Sequence, residues 1–317
     1  MIRPIAIIGA PSSLGIRPYD DGPARHLDRA PDVLRERGLV SALGALDVGD
    51  VVPPAYRDYV RPPDRARNEK QVVAYSRALG MRVEAASRLG RFVLVLGGDC
   101  SIVLGSLLGA RRAANGPVGL VYLDAHADFA TPEESRTGSV ASMSLALASG
   151  RGDTPLAHLN GRAPLVDAKH VALIGRRDAA DAWYGHAALA ASPILNLPDI
   201  ELRSRTPGAL AAAALDRVVS SDVNGFWIHF DVDLLNPLAM PAVDSPEEGG
   251  PMPEELLSVL GPLVRHPYAL GLNVSIYDPA LDPDRSCARR LVQLLERLLA
   301  REDSKARTSS EMSAMRM

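Results

Sequence analysis

Short apolar runs alternate along the chain with longer segments of helical character. The apolar runs are bounded by Gly, Pro or Asp, and the segments between them are rich in Ala, Leu and Arg. This alternation is typical of βαβ units, in which a parallel sheet is buried under helices on both faces. The sequence therefore predicts an α/β fold with a central, mostly parallel sheet.

The periodicity places six candidate strands and five candidate helices. Strands are expected at Ile5–Gly9, Phe92–Leu96, Gly119–Leu123, His170–Ile174, Phe226–Phe230 and Ala269–Ser275, and helices at Asn68–Leu89, Ser101–Ala113, Ala209–Ser220, Pro253–Val264 and Ala288–Ala300. Long loops are expected after the third and fifth strands, at Thr131–Thr137 and Asn236–Pro253. Because parallel sheets form their sites at the carboxyl ends of strands, these loops are expected near the functional site.

Composition and charge narrow the class of protein. Of the 317 residues, 47% are hydrophobic and 23% are charged, and the formal net charge is −3, which excludes disordered and fibrous chains. Residues 1–301 are expected to form a single domain, and the polar residues 302–317 a flexible tail. No basic block precedes that tail, so nucleic acid is not an expected partner. The sequence contains no stretch of 18 apolar residues, so a membrane-spanning helix is not expected.

The cysteine content indicates a reducing compartment. The chain has two cysteines, Cys100 and Cys287, which is too few for the disulfide framework of a secreted protein of this length. We therefore expect a cytoplasmic protein.

Two of the predicted strands end in closely spaced acidic side chains. Asp124, His126 and Asp128 follow the third strand, and their spacing of two places all three side chains on one face of an extended backbone. Asp231 and Asp233 follow the fifth strand with the same spacing. Like charges this close are costly unless a cation compensates them, whereas an isolated Asp-x-Asp is more often a helix cap. The pairing of the two clusters favours a metal site.

A third cluster, Gly97-Gly98-Asp99-Cys100, ends the second predicted strand. Its glycines allow close approach of the backbone to the site, and the Cys100 thiol is either a metal ligand or a buried structural group. Together the clusters offer mainly oxygen and nitrogen donors, which suit two divalent ions, Mn²⁺ before Zn²⁺ or Mg²⁺. Paired ions lower the pKa of a water between them, so the expected reaction class is hydrolysis.

At these motifs the sequence resembles the ureohydrolase family, which includes arginase, agmatinase and formiminoglutamase. The resemblance covers about the first 300 residues and rests on Ile8-Gly9-Ala10-Pro11, GGDC at 97–100, DAHAD at 124–128, Ile174-Gly175-Arg176-Arg177-Asp178, FDVDLLNP at 230–237 and Tyr277-Asp278-Pro279. It implies a three-layer α/β/α fold and a homo-oligomer. It also implies that hydroxide bridging two Mn²⁺ ions attacks the carbon of a small guanidino or amidino substrate.

The resemblance also implies roles for individual residues. One metal ion is expected on Cys100, Asp124, Asp128 and Asp231, and the other on His126, Asp124, Asp231 and Asp233, with Asp124 and Asp231 as bridges. Asp128 is also the expected proton acceptor in catalysis. The expected substrate-binding residues are Thr137, Ser139, Asp178 and Asp181. His229, two residues before Asp231, is expected to pack within its strand rather than to bind metal.

The chain departs from the family pattern at three positions that bind arginine or transfer a proton during its hydrolysis. A proton-shuttling His, an Asn that helps to hold the amino-acid carboxylate, and the Glu that grips the guanidinium are replaced here by Ala141, Ala130 and Ile276. A shift in strand register would bring Asn273 or Tyr277 into the place of that Glu. Free arginine is therefore not the expected substrate.

In this chain a Cys stands at a ligand position where family members commonly have His, and the proton-shuttling His is missing. In both respects the sequence resembles the branch that contains the N-hydroxyarginine hydrolase of cycloserine biosynthesis. An N-hydroxyguanidine is less basic than a guanidinium, so more of it is uncharged at neutral pH and open to attack. The sequence predicts a ureohydrolase with an altered substrate, and hydrolysis of N-hydroxyarginine is one alternative. A second alternative is a family member that has lost catalysis and binds a ligand or a partner, although loss of catalysis gives no reason to keep mutually repelling ligands.

Overall fold

A parallel sheet of eight strands forms the centre of the part of the chain that the structure describes. The computed structural model describes residues 2–19, 25–161, 164–180 and 185–300. The strands are β1 (Ile5–Gly9), β2 (Leu46–Asp50), β3 (Phe92–Leu96), β4 (Gly119–Leu123), β5 (Val171–Ile174), β6 (Leu195–Leu197), β7 (Phe226–Asp231) and β8 (Ala269–Ser275). Their order is β2-β1-β3-β8-β7-β4-β5-β6, and every neighbouring pair is parallel.

Helices cover both faces of this sheet. They are α1 (Ala30–Glu36), α2 (Leu39–Leu43), α3 (Glu69–Arg88), α4 (Ile102–Ala113), α5 (Ser144–Ala148), α6 (His186–Ala190), α7 (Asp199–Ser204), α8 (Pro207–Val218), α9 (Pro253–Arg265) and α10 (Ser286–Leu299). Because successive strand side chains point to opposite faces, Ile5 and Ile7 join the core under α8, α9 and α10, whereas Ala6 and Ile8 join the core under α3 and α4. The expected three-layer α/β/α fold is confirmed.

The elements that the periodicity did not predict are the two edge strands and the short helices α1, α2, α5, α6 and α7. All six predicted strands are present and differ from the expected bounds by at most one residue, at His170 and Asp231, and the five predicted helices agree to within two residues. The two additional strands, β2 and β6, lie at the edges of the sheet and are mostly half-buried or exposed. A strand without two buried faces lacks the continuous apolar run on which the prediction depends.

The sheet order brings the three predicted clusters together. Strands β3, β8, β7 and β4 are consecutive in the centre of the sheet, and the motifs at 97–100, 124–128 and 231–233 follow the carboxyl ends of β3, β4 and β7. Gly98 has a φ of +99°, and a Cβ there would lie 2.6 Å from the carbonyl oxygen of Ala10. A glycine is therefore required for the chain to turn after β3 into the segment that holds Cys100 and leads to α4.

Some expectations fall on residues outside the described ranges. These are the substrate-binding role of Asp181 and the flexible tail at 302–317. Within the described ranges, both cysteines are free thiols, and none of the helices combines the length and the apolar character that crossing a membrane requires.

Candidate metal centre

A cavity of about 200 Å³ opens at the carboxyl edge of the central strands. It is lined by Ile16, Arg17, Arg25, Cys100, Asp124, His126, Asp128, Thr137, Ser139, Ala141, Ser142, Asp231, Asp233, Asp244, Ser245 and Ile276. All six side chains that were predicted to bind metal are in this set, and so are Thr137 and Ser139. The predicted substrate-binding residue Asp178 is not.

Cys100 and Asp231 form one half of the acidic cluster. The Cys100 thiol donates to Asp231 Oδ2 across 2.8 Å, and both side chains are buried. One ligand atom from each of Cys100, Asp124, His229 and Asp231 lies within 4.8 Å of all the others. Within this half, Asp124 Oδ2 is buried and has no hydrogen-bond partner. Because a buried carboxylate oxygen is costly without a partner, this atom fits a cation.

His126 and Asp233 form the other half of the cluster. His126 Nδ1 lies 3.0 Å from Asp233 Oδ2 and 3.5 Å from Asp124 Oδ1, so these three residues make a second group that is compact enough to share an ion. Asp124 is common to both groups, which fits its expected role as a bridge. The carboxylate of Glu247, which is partly exposed, lies 3.9 Å from His126 Nε2.

Asp128 lies in the same cavity but outside both compact groups. Its φ of +48° is left-handed, and its carbonyl oxygen accepts the backbone N–H groups of Leu145 and Ala146. The Tyr122 hydroxyl donates to Asp128 Oδ2 across 2.5 Å, so the other carboxylate oxygen is the one that remains for metal or substrate. A left-handed non-glycine residue costs backbone energy and often marks a functional site.

The crowding of acids in a buried space controls the protonation of the cluster. Burial, together with Asp233, raises the pKa of Asp124 to about 7, and burial and neighbouring carboxylates also raise the pKa values of Asp128 and Asp231. At Asp233 the effect of burial is outweighed by the adjacent His126, so the pKa of Asp233 lies below its usual value. Without a cation the cluster therefore holds protons that a metal ion would displace.

The family of the chain follows from its sequence over nearly its whole length. The sequence model of the arginase family matches residues 3–300. The chain belongs to the arginase family. It is 28% identical over 311 residues to an arginase of Bacillus subtilis (strain 168), covering 95% of this chain and 99% of that relative. It is 30% identical over 255 residues to an arginase of Bacillus caldovelox, covering 78% and 82%.

The solved structures agree with the sequence comparison. The native structure of Bacillus caldovelox arginase at pH 5.6 matches with a TM-score of 0.81 and 27% identity, covering 95% of this chain and 99% of that one. Members of the arginase family are metal-dependent hydrolases that act on guanidino or amidino groups. The chain is therefore such an enzyme, and the buried Asp, His and Cys cluster suits the metals of the family.

Ile276, which the sequence resemblance places at the position of the guanidinium-gripping Glu, is an apolar side chain at the cavity wall. Ile276 lines the cavity in a left-handed conformation with a φ of +68°. The alternative strand register is absent, because Asn273 bonds to Trp227 and His229, and the Tyr277 hydroxyl donates to Asp282 across 2.7 Å. Neither Asn273 nor Tyr277 is therefore available to replace the Glu.

Asp178 holds the DAHAD loop in place. One carboxylate oxygen accepts the backbone N–H of Ala127 at 2.9 Å, and the other accepts from Arg176 Nε at 2.7 Å. Both side chains are buried. In the described structure this carboxylate supports the loop that carries His126 and Asp128, and its contact with substrate stays a prediction.

The structure adds three functional candidates, and of these the sequence singled out only His229, as a residue expected to pack within its strand. Arg17 and Arg25 line the cavity, and Arg25 pairs with Asp244 and lies over the ring of Tyr19. The third is His229, which is packed in its strand as expected but also faces Asp124. Only its spacing of two residues from Asp231 was a signal in the sequence, whereas the arginines had none.

Proposed function

We propose that the chain hydrolyses a carboxylate-bearing guanidino compound whose reacting group is uncharged at neutral pH, and that N-hydroxyarginine is the leading candidate. The observation that carries this proposal is Ile276 at the cavity wall. The carboxylates that line the described cavity are Asp124, Asp128, Asp231, Asp233 and Asp244. Four of these are predicted metal ligands and the fifth pairs with Arg25, so no lining carboxylate is left to neutralise a guanidinium, and Glu247, which approaches His126, is outside the lining.

Two Mn²⁺ ions are the metals that this donor set supports. Cys100, Asp124, Asp128 and Asp231 would hold one ion, and His126, Asp124, Asp231 and Asp233 the other. When bound there, divalent ions would supply hydroxide near neutral pH by lowering the pKa of a coordinated water.

Asp128 is the residue proposed to carry the proton during the reaction. Its buried position and the nearby Asp124 raise its pKa, so its carboxyl group accepts a proton more readily than an ordinary aspartate. The Tyr122 hydroxyl fixes one carboxylate oxygen and thereby orients the other. A positioned group with a raised pKa can take a proton from the nucleophile and return it to the leaving amine.

Arg17, Thr137 and Ser139 are proposed to hold the carboxylate of the substrate. Ser139 Oγ accepts the backbone N–H of Arg17 at 3.3 Å, and Thr137 Oγ1 accepts that of Ser139 at 3.2 Å. Each hydroxyl oxygen is oriented by this bond, which leaves its own O–H able to donate to a carboxylate. Guanidinium groups bind carboxylates well, so a substrate without a carboxylate, such as agmatine, is disfavoured.

The test is metal analysis and turnover on one preparation. Protein expressed in Mn²⁺-rich medium would be analysed for metal and then assayed with arginine, agmatine, guanidinobutyrate, formiminoglutamate and N-hydroxyarginine. We expect about two Mn²⁺ per chain and the highest kcat/KM with N-hydroxyarginine. A higher kcat/KM with arginine would contradict the proposal, and less than half an equivalent of metal without turnover would favour a binding protein.

A matched pair of variants tests the role of Ile276. Ile276→Glu would place a carboxylate at the cavity wall, whereas Ile276→Gln has the same size without the charge. We expect the Glu variant alone to gain activity towards arginine relative to N-hydroxyarginine, because a buried carboxylate favours a cation. Equal behaviour of the two variants would mean that charge at this position does not select the substrate.

A further inference from the structure

A row of buried polar and aromatic side chains lies beneath the candidate metal centre. Tyr122 of β4, His229 of β7 and Asn273 of β8 occupy the same register across three neighbouring strands. Trp227, two residues before His229, lies on the same face of the sheet. A Cβ at Gly271 would lie 2.4 Å from the indole ring, so glycine at this position makes room for Trp227.

Hydrogen bonds along this row determine which nitrogen of the neutral His229 ring carries the hydrogen. Trp227 Nε1 donates to Asn273 Oδ1 at 2.8 Å, and Asn273 Nδ2 lies 2.8 Å from His229 Nδ1. An indole nitrogen can only donate, so Asn273 must turn its oxygen to Trp227 and its NH₂ group to His229. His229 Nδ1 therefore accepts, and a neutral ring carries its hydrogen on Nε2.

The Nε2–H group of His229 faces a carboxylate oxygen that has no hydrogen-bond partner, whereas the other oxygen of Asp124 accepts the backbone N–H of His126. His229 Nε2 lies 3.9 Å from Asp124 Oδ2, and both atoms are buried without a hydrogen-bond partner. The His229 ring stacks on Tyr122 with centroids 4.1 Å apart and an angle of 19° between the planes, which restricts its rotation. A donor and an acceptor that face each other in this way need to approach by only about 1 Å to form a hydrogen bond.

We propose that His229 is a positioning residue that donates its Nε2–H to Asp124, and that it is not a metal ligand. Distance alone would allow ligation, because His229 lies close enough to Cys100 and Asp231 to share an ion with them. A nitrogen that carries hydrogen has no lone pair for a metal, so the bond from Asn273 decides between the two roles. The inference rests on the proposed function only in treating Asp124 as a ligand.

Nitrogen NMR on histidine-labelled protein measures the tautomer directly. In metal-free protein we expect the hydrogen of His229 on Nε2, with Nδ1 unprotonated, and we expect the same pattern after loading with Zn²⁺, which is diamagnetic. His126 is the internal control, since a ligating nitrogen in that ring must lose its hydrogen. A hydrogen on Nδ1, or loss of the Nε2 hydrogen when Zn²⁺ binds, would overturn the proposal. Neither measurement depends on activity, so failure of the proposed substrate would be seen separately.

The variant Asn273→Asp tests the cause of the tautomer. A carboxylate would accept from both Trp227 and the ring, so the hydrogen of His229 should move to Nδ1. If the hydrogen stays on Nε2 in this variant, the bond from Asn273 does not set the tautomer.

Two substitutions of His229 separate donation from packing. His229→Phe keeps the stacking on Tyr122 but removes the donor, whereas His229→Gln keeps a donor. We expect the Phe variant to lose about 10–100-fold in Zn²⁺ affinity and the Gln variant to lose less. Equal losses would assign His229 a packing role only.

Discussion

The expected role of Cys100 as a ligand gives a prediction that can be quantified. Burial, and then the adjacent Asp231, raises the pKa of the Cys100 thiol well above its ordinary value of 9.0. A metal-bound cysteine must be a thiolate, so binding at pH 7 includes the cost of ionising the thiol. For a pKa of 9.0 this cost is about 2.7 kcal/mol, a factor of about 100 in affinity, and for the raised pKa it is larger.

This cost makes metal affinity depend on pH through one additional proton. The proton is bound in the metal-free protein and absent from the complex, so affinity rises with pH by up to about tenfold per unit between pH 7 and 9. Cys100→Ser has nearly the same volume and no thiolate, and Cys100→His supplies a ligand that is largely neutral at pH 7. Both variants should show a slope that is lower by about one proton than that of the unmodified chain.

Competitive titration of Mn²⁺ at several pH values between 6.5 and 8.5 would measure these slopes. Co²⁺ loading would add a spectroscopic readout, because a thiolate ligand gives a charge-transfer band that the Ser variant must lack. The hydroxyl of Cys100→Ser can donate to Asp231 as the thiol does, so the difference between the slope of this variant and that of the unmodified chain isolates the thiolate. Equal slopes and an unchanged Co²⁺ spectrum would refute the assignment of Cys100 as a ligand.

Three further predictions concern catalysis, pH dependence and loop support. Asp128→Asn should lower kcat by about 10²–10⁴-fold while a Mn²⁺ analysis still finds metal, because the variant cannot carry the proton; an unchanged kcat would exclude that role. The pKa of Asp124 is raised to about 7, so around neutral and mildly acidic pH the metal-free folded protein binds more protons than the unfolded chain. Its free energy of unfolding should therefore decrease as the pH rises from about 4 to about 7. Urea unfolding at each pH checks this, and excess Mn²⁺ should oppose the fall. Asp178→Ala should destabilise the protein by about 3–5 kcal/mol in urea, because it leaves the buried Arg176 guanidinium without its carboxylate partner, and a loss below about 1 kcal/mol would contradict this reasoning.

The sequence by itself determined the class of fold and predicted the metal-binding side chains of the candidate site. Central strands such as Phe92–Leu96 are buried on both faces, so each left a continuous apolar run, whereas the half-exposed edge strand Leu46–Asp50 did not. The metal-binding side chains could be predicted from the sequence because each lies at or just after the end of such a strand, and the carboxyl ends of parallel strands lie at one edge of the sheet. The resemblance to the ureohydrolases supplied the roles, and the family comparison confirmed the kind of enzyme.

Only the tertiary structure decided which side chains complete the site. The hydrogen-bonded row from Trp227 through Asn273 to His229 depends on the register between two strands whose partners lie more than 40 residues apart in the chain. The same is true of Arg17 and Arg25, which line the cavity although neither belongs to a motif. Local spacing cannot encode such contacts, because the packing of distant segments sets both the neighbours of a side chain and the direction of its hydrogen bonds.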